Sequence, residues 1–369
     1  MLTAQGCRTR ITRLLDRLDE RVETVLICRP EHVFYFCGYM ASPNSLKLRA
    51  AYSLMIERSG ETTLLFDGWG KLSETIHADN VQGGGWMVKS PEFSGPQSAA
   101  KAAEEALRSR GLSVIGAETA ALPAAIAASL ETVDIEPIIN RMRLVKDSDE
   151  LDIIRAAMRV GEAFHASARE NMRPGMTELE IYTRGVHDAT AAAGGPFVMM
   201  CDFRSGPELA AGGHPTDRVI EPGDNLLMDI FPYVNGYRCD ITNTLNAGRQ
   251  PSPDQEKAMA TALTALAASE ALCKPGVTAH ELHKAQDDAI RAADPTWSLR
   301  GHAGHCLGLE HPEPPDFIPD NHEPILEGMV ITFEPGVYDP SFHGVRVEHN
   351  YLVTADGLER LSHHQLGLI

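Results

Sequence analysis

Short apolar, β-branched and aromatic runs bounded by Pro, Gly or charge fill the first 140 or so residues. Residues 25–28, 33–36, 52–56 and 63–66 read as strands, and the Ala- and Glu-rich stretch 98–110 has helical periodicity, so this part is α/β. The pattern then changes. Residues 138–146 lead into Asp147-Ser148-Asp149-Glu150, an acid with a glutamate three positions on, which opens a helix carrying Leu151, Ile154 and Met158 on one face. The reading is two domains, 1–139 and 140–369.

The second part contains an internal repeat. Arg173-Pro174-Gly175-Met176-Thr177-Glu178-Leu179-Glu180-Ile181 recurs as Lys274-Pro275-Gly276-Val277-Thr278-Ala279-His280-Glu281-Leu282, each copy following a long Ala-rich helical pattern. In each, Pro-Gly ends one helix and Thr caps the next, with Glu180 or Glu281 as its box partner. Both copies are succeeded by Gly-rich, strand-like sequence carrying acids and histidines. Two similar halves facing each other would line one cleft from both sides.

Composition narrows the chemistry. A net charge of −18, from 33 Lys and Arg against 51 Asp and Glu, disfavours nucleic acid and anionic membrane as partners and favours cations. The seven cysteines are an odd, scattered set without C-x-x-C spacing, which fits a reduced cytosolic chain rather than a disulfide framework or a cysteine zinc site. The sequence shows neither a signal-peptide pattern nor an apolar run of about 18 residues, so no targeting or anchoring is expected. Gly83-Gly84-Gly85 lacks a following Lys-Ser/Thr and reads as a loop, not a phosphate cradle.

The candidate site lies in the repeat. An apolar strand from Asn225 reaches Asp229, an Asn235-Gly236 turn follows, and a second strand carries Asp240, so the hairpin brings two carboxylates together. In the other half, Met329-Val330-Ile331-Thr332-Phe333 ends on Glu334, Gly344-Val345-Arg346-Val347 ends on Glu348, and Gly301-His302-Ala303-Gly304-His305 is Gly- and His-rich. Four buried acids need compensation. Two divalent cations would neutralise them and leave His305 as a neutral ligand. Oxygen ligands with one imidazole suit Mn²⁺, Co²⁺, Fe²⁺ or Zn²⁺, Mn²⁺ favoured, rather than a structural tetrahedral zinc. Ions sharing those acids would lie about 3.5 Å apart and could activate a bridging water against a carbonyl.

In order and strand context, Asp229, Asp240, His305, Glu334 and Glu348 resemble the five metal ligands of the pita-bread metallopeptidases, the family of methionine aminopeptidase, Xaa-Pro aminopeptidase, prolidase and creatinase-like proteins. The Lys146-Asp147-Ser148-Asp149-Glu150-Leu151 opening, Arg173-Pro174-Gly175, Phe333-Glu334-Pro335-Gly336 and Gly344-Val345-Arg346-Val347-Glu348 are similar too. Arg29-Pro30-Glu31-His32-Val33-Phe34-Tyr35-Phe36 resembles the creatinase/prolidase N-terminal domain, which favours the Xaa-Pro branch. The resemblance implies an α/β N-terminal domain before a pita-bread catalytic domain with an internal pseudo-twofold repeat, and a homodimer. It implies that Asp229 chelates one ion, that Asp240 and Glu348 bridge both, and that His305 and Glu334 bind the other. His214 and His311 match the two substrate-side histidines, and Arg346 the arginine beside the bridging glutamate; Glu334 would also carry a proton.

Three departures point to an altered pocket. Phe231 replaces the usual glycine two residues after the first ligand, Asn243 follows Thr242 where arginine is common, and His311 comes one residue early, with Pro312 at the expected place. Strand alternation makes one residue of slip matter unless a bulge absorbs it. Cys306 should point away from the ligand side as a buried thiol, and His302, His363 and His364 read as exposed or packing residues, His302 being close enough to line the cleft. The sequence thus points to hydrolysis before proline in short peptides. The alternatives are a creatinase-like hydrolase or lyase acting on a non-peptide C–N bond and, with all five ligand positions kept, more remotely a non-enzymatic binding module.

Overall fold

Residues 1–40, 52–67, 75–85, 94–248 and 250–369 are described by the computed structural model of the chain. They divide into two units, Met1–Arg143 with Asp147–Glu150, and Leu144–Lys146 with Leu151–Ile369. Among the described residues no helix is long and apolar enough to cross a membrane.

The first unit runs α1 (Ala4–Leu15), β1 (Thr24–Ile27), α2 (Pro30–Cys37), β2 (Tyr52–Glu57), β3 (Thr62–Phe66), β4 (Asn80–Gly83), α3 (Gly95–Arg108), β5 (Val114–Ala117), α4 (Ala124–Ala127), β6 (Glu131–Asp134) and α5 (Glu136–Leu144). Its mixed six-stranded sheet has the order β4-β3-β2-β1-β5-β6. Leu26, Met55, Leu65 and Ile115 of the sheet pack against Ala103, Ala106 and Leu107 of α3, all buried. Residues 33–36, expected as a strand, are helical. Pro30 supplies the fixed φ of a first helical turn, and Gly38, at φ 70°, closes the last one in the left-handed conformation that glycine tolerates. Gly83 ends β4 rather than lying wholly in a loop.

α6 (Ser148–Asn171) opens in the first unit with the expected bond from Asp147 N–H to Glu150 Oε2 (2.8 Å) and belongs to the second unit from Leu151 on. Then come α7 (Glu178–Ala193), β7 (Val198–Ser205), a 3₁₀ turn (Gly206–Ala211), β8 (Asn225–Val234), β9 (Tyr237–Arg238), β10 (Ile241–Asn246), α8 (Pro253–Leu272), α9 (Ala279–Ala293), β11 (Val330–Phe333), β12 (Gly336–Val337), β13 (Val345–Arg346), β14 (His349–Thr354) and β15 (Gly357–Arg360). β8 is central in one antiparallel sheet, between β10 and β7, with β9 also on it; β11-β14-β15 form another, and β12 pairs β13.

The repeat is visible in backbone bonding. Thr177 and Thr278 each form a complete capping box with Glu180 and Glu281. Gly175 N–H donates to Ile220 O and Gly276 N–H to Ile325 O, both at 2.9 Å, and Ile220 and Ile325 return bonds to Met176 and Val277. Each half thereby ties its second helix to the segment leading into an antiparallel pair, β8–β10 in one and β11–β14 in the other. Small residues on α8, Ala258, Ala262 and Ala265, belong to the same buried cluster as Ile331, Phe333, Val345 and Tyr351 of the strands.

Candidate metal centre

β8 carries Asp229 in mid-strand, opposite Thr242 of β10 and Asp202 of β7. The Asn235-Gly236 tip has positive φ at both residues, 48° and 93°, the hairpin geometry this dipeptide favours. Beyond Arg238 the returning strand breaks, and Asp240 lies in the gap between β9 and β10. Asn350 clamps that gap: its Oδ1 accepts from Asp240 N–H (3.0 Å), and its side-chain amide donates to Asp240 O. In the other half Glu334 directly follows β11 and Glu348 directly precedes β14, next to the paired residues Phe333 and His349. Glu348 N–H donates to Thr242 O (3.0 Å), and its carboxylate accepts from the hydroxyls of Thr242 (2.6 Å) and Thr332. The His305 segment runs against β11 because residue 304 is glycine; a Cβ there would lie 2.0 Å from Thr332 O.

These elements bring Asp229, Asp240, His305, His311, Glu334, Arg346 and Glu348 together. Asp229, Asp240 and Glu348 each offer an oxygen within 4.8 Å of the others, and Asp240, His305 and His311 form a second such group. His305 Nδ1 faces Cys306 O at 2.8 Å, so its Nε2 is turned to Asp240 Oδ2 (3.2 Å) and Glu334 Oε1 (3.4 Å), the arrangement of a ligand imidazole. His302 Nδ1 approaches the same Glu334 oxygen at 3.2 Å, so His302 belongs to the centre's edge. Arg346 pairs with Asp229 and donates to the Tyr338 hydroxyl (3.3 Å). His214 is placed differently: it is exposed, with Nδ1 3.8 Å from Cys201 Sγ.

Burial pushes the Asp229 and Glu348 carboxyls well above the ordinary range; Asp240 and Glu334 add to this for both, against Arg346 at Asp229. Burial acts the same way on Asp240 and Glu334, but their histidine neighbours win and hold both below it, His311 and His305 at Asp240, His302 and His305 at Glu334. Burial would lower His305, yet its bond to Asp240 and the charges of Glu334 and Asp240 lift it to about 9. Asp229 Oδ1, Asp240 Oδ1 and Glu334 Oε1 are buried without a hydrogen-bond partner. Four sequestered carboxylates, three of them with an unpartnered oxygen and beside a correctly turned imidazole, fit divalent cations.

One expectation changes. Asn243 does not shape the pocket: it alternates away from Thr242, is buried, and exchanges bonds with Gly367 N–H (2.8 Å) and O (3.0 Å). His364 is a buried packing residue against His165 and His349, and Cys306 is fully buried as expected. Phe231 does reach the centre, stacked on His311 with ring centroids 4.4 Å apart and planes at 21°. Sequence reasoning missed Thr242, Thr332, Asn350, Tyr338 and the buried Lys146–Glu313 pair (3.0 Å). Thr242 and Asn350 carried a signal, since each lies two residues beyond a clustered acid, Asp240 or Glu348, the spacing at which extended chain repeats a face.

A family model described as Metallopeptidase family M24 matches residues 152–355, and one described as Creatinase/Prolidase N-terminal domain matches residues 10–145. The Mycobacterium tuberculosis protein named Probable dipeptidase PepE is 32% identical over 238 residues, covering 64% of this chain and 63% of its own. Among solved structures, a prolidase from Pyrococcus furiosus aligns with TM-score 0.76 and 25% identity over 95% of this chain and 99% of its own. An Xaa-Pro dipeptidase from Bacillus anthracis aligns with TM-score 0.81 and 21% identity over 98% and 99%. The chain therefore belongs to metallopeptidase family M24, with a creatinase-type N-terminal domain preceding a pita-bread catalytic domain.

Proposed function

We propose that the chain is a dinuclear metal-dependent peptidase that hydrolyses the bond before proline in short peptides. The observation that carries this reading is the buried carboxylate cluster, with Asp229 Oδ1, Asp240 Oδ1 and Glu334 Oε1 unpartnered around the His305 imidazole. Asp229 would hold one ion, His305 and Glu334 the other, and Asp240 and Glu348 both. Bound there, the ions supply Lewis acidity toward a carbonyl and lower the pKa of water. Glu334, flanked by His302 and His305, is placed to carry a proton to the leaving amine. Exposed His214 would hold the substrate's oxygen. Arg346 anchors Asp229 and Tyr338, and Phe231 forms an apolar wall. The likeness to the Pyrococcus prolidase and the Bacillus Xaa-Pro dipeptidase supports proline specificity, and seven buried free thiols support a reducing compartment such as the cytosol. A second reading, hydrolysis of a non-peptide C–N bond in a small metabolite, draws on Phe231 and on the engagement of His311 by Asp240.

Metal-stripped protein assayed on Xaa-Pro dipeptides, Xaa-Pro-Yaa tripeptides and Xaa-Ala controls, before and after adding back divalent ions, tests the proposal. Turnover should require added ion and proline, and Asp240→Asn should lower it more than about 100-fold, beyond the cost of losing an outer-shell partner. Ion at about 100 times Kd should raise the thermal midpoint by roughly 5–10 °C. Ion-independent turnover would refute the metal mechanism; consumption of small ureas or amidines instead of peptides would select the second reading.

A further inference from the structure

His311 sits where a ligand would sit. Its Nε2 lies 2.5 Å from Asp240 Oδ2, the oxygen that His305 Nε2 approaches at 3.2 Å, and the three residues form one of the two groups whose ligand atoms lie within 4.8 Å of one another. The two imidazoles meet edge to face, centroids 5.2 Å apart and planes at 81°. Phe231 lies flat on His311 and fixes its plane. The loop that delivers it is built rather than draped. Cys306 and Glu313 exchange both backbone bonds (3.0 and 2.8 Å), Glu310 N–H donates to Glu313 Oε1 (3.1 Å), and the Glu313 carboxylate is pinned by the buried Lys146 ammonium (3.0 Å). Asp240 Oδ1 and Glu334 Oε1 remain unpartnered beside these nitrogens.

We propose that His311 is itself a metal ligand, joining Asp240 and His305 on one ion, so that this half of the centre has two nitrogen donors. The proposal rests on the metal-centre reading above. Two imidazoles shift preference toward Zn²⁺, Co²⁺ or Fe²⁺ and away from Mn²⁺, which prefers oxygen donors. Early placement of His311 and the aromatic ring at 231 then form one device: the first supplies the donor and the second orients it.

The test titrates Zn²⁺, Co²⁺ and Mn²⁺ calorimetrically into metal-stripped wild type, His311→Ala and His311→Gln, with circular dichroism confirming folding and the visible spectrum of the Co²⁺ form recorded. Either substitution should weaken one of the Zn²⁺ and Co²⁺ equivalents at least about tenfold, move the Co²⁺ bands, and change Mn²⁺ affinity less than about threefold. Having two substitutions keeps the test open if one fails to fold. Equal affinities and an unmoved Co²⁺ spectrum would overturn the proposal, as would lost turnover with unchanged metal binding, which would make His311 a substrate contact. Tight ion binding by wild type with no change in either variant removes only the ligand role; no ion binding by wild type removes the metal-centre reading as well.

Discussion

The Lys146 ammonium is almost fully buried, 1% exposed, against a Glu313 carboxylate that is 3% exposed. Removing one member of such a pair leaves an uncompensated charge, so Lys146→Met should cost about 3–5 kcal/mol in urea unfolding, whereas Lys146→Met with Glu313→Leu should regain most of it. A double variant no more stable than the single one would show that the pair is not coupled in this way. At this scale the sequence was a good guide to which acids the fold gathers, because Asp240 follows the Asn235-Gly236 hairpin and Glu334 and Glu348 flank strand ends, although Asp229 lies in mid-strand. It was a poor guide to what holds them. Asn350 reaches Asp240 and Lys146 reaches Glu313 across more than a hundred residues of chain, and no local spacing encodes such pairings.

Helix α7 and helix α9 begin with the same chemistry, a threonine hydroxyl on the third helical N–H and a glutamate returning to the threonine N–H. Thr177→Ala and Thr278→Ala should therefore each destabilise by about 1 kcal/mol, by similar amounts, measured as a fall in the urea midpoint at unchanged slope. A cost at one cap only would mean that the two starts are not energetically equivalent. These boxes were legible because capping is local. The helix α2 was not: His32 through Cys37 are buried all round, which erases the polar face that distinguishes a helix from a strand in a short apolar run. The gap around Asp240 was equally hidden, since the two-residue turn predicts a continuous returning strand, whereas Asp240 bonds Asn350 and Arg238 N–H turns to Gly308 O, partners far off in the chain.

Across the whole molecule, acid sensitivity should reside in histidines packed together in the second unit. His364 lies 4.6 Å, ring to ring, from both His165 and His349. Burial holds His165 well below its ordinary value, His349 near 2 and His364 near 4. An unfolded imidazole protonates near 6.5, so the unfolded chain binds more protons than the folded one across the window from about 6.5 down to 4. Stability should fall through that window by up to about 1.4 kcal/mol per pH unit for His364 alone. His364→Gln should flatten the slope of the urea midpoint between pH 6.5 and 4; an unchanged slope would place the sensitivity elsewhere. The division of the centre between the repeats has one more consequence. A ribosome releases Asp229 and Asp240 long before Glu334 and Glu348, so a nascent chain holds half a centre while its last strands are still being made. A cation shared by both halves would then be captured only once Glu348 has been made, and a truncation ahead of Glu348 would keep most of the polypeptide while breaking the carboxylate cluster.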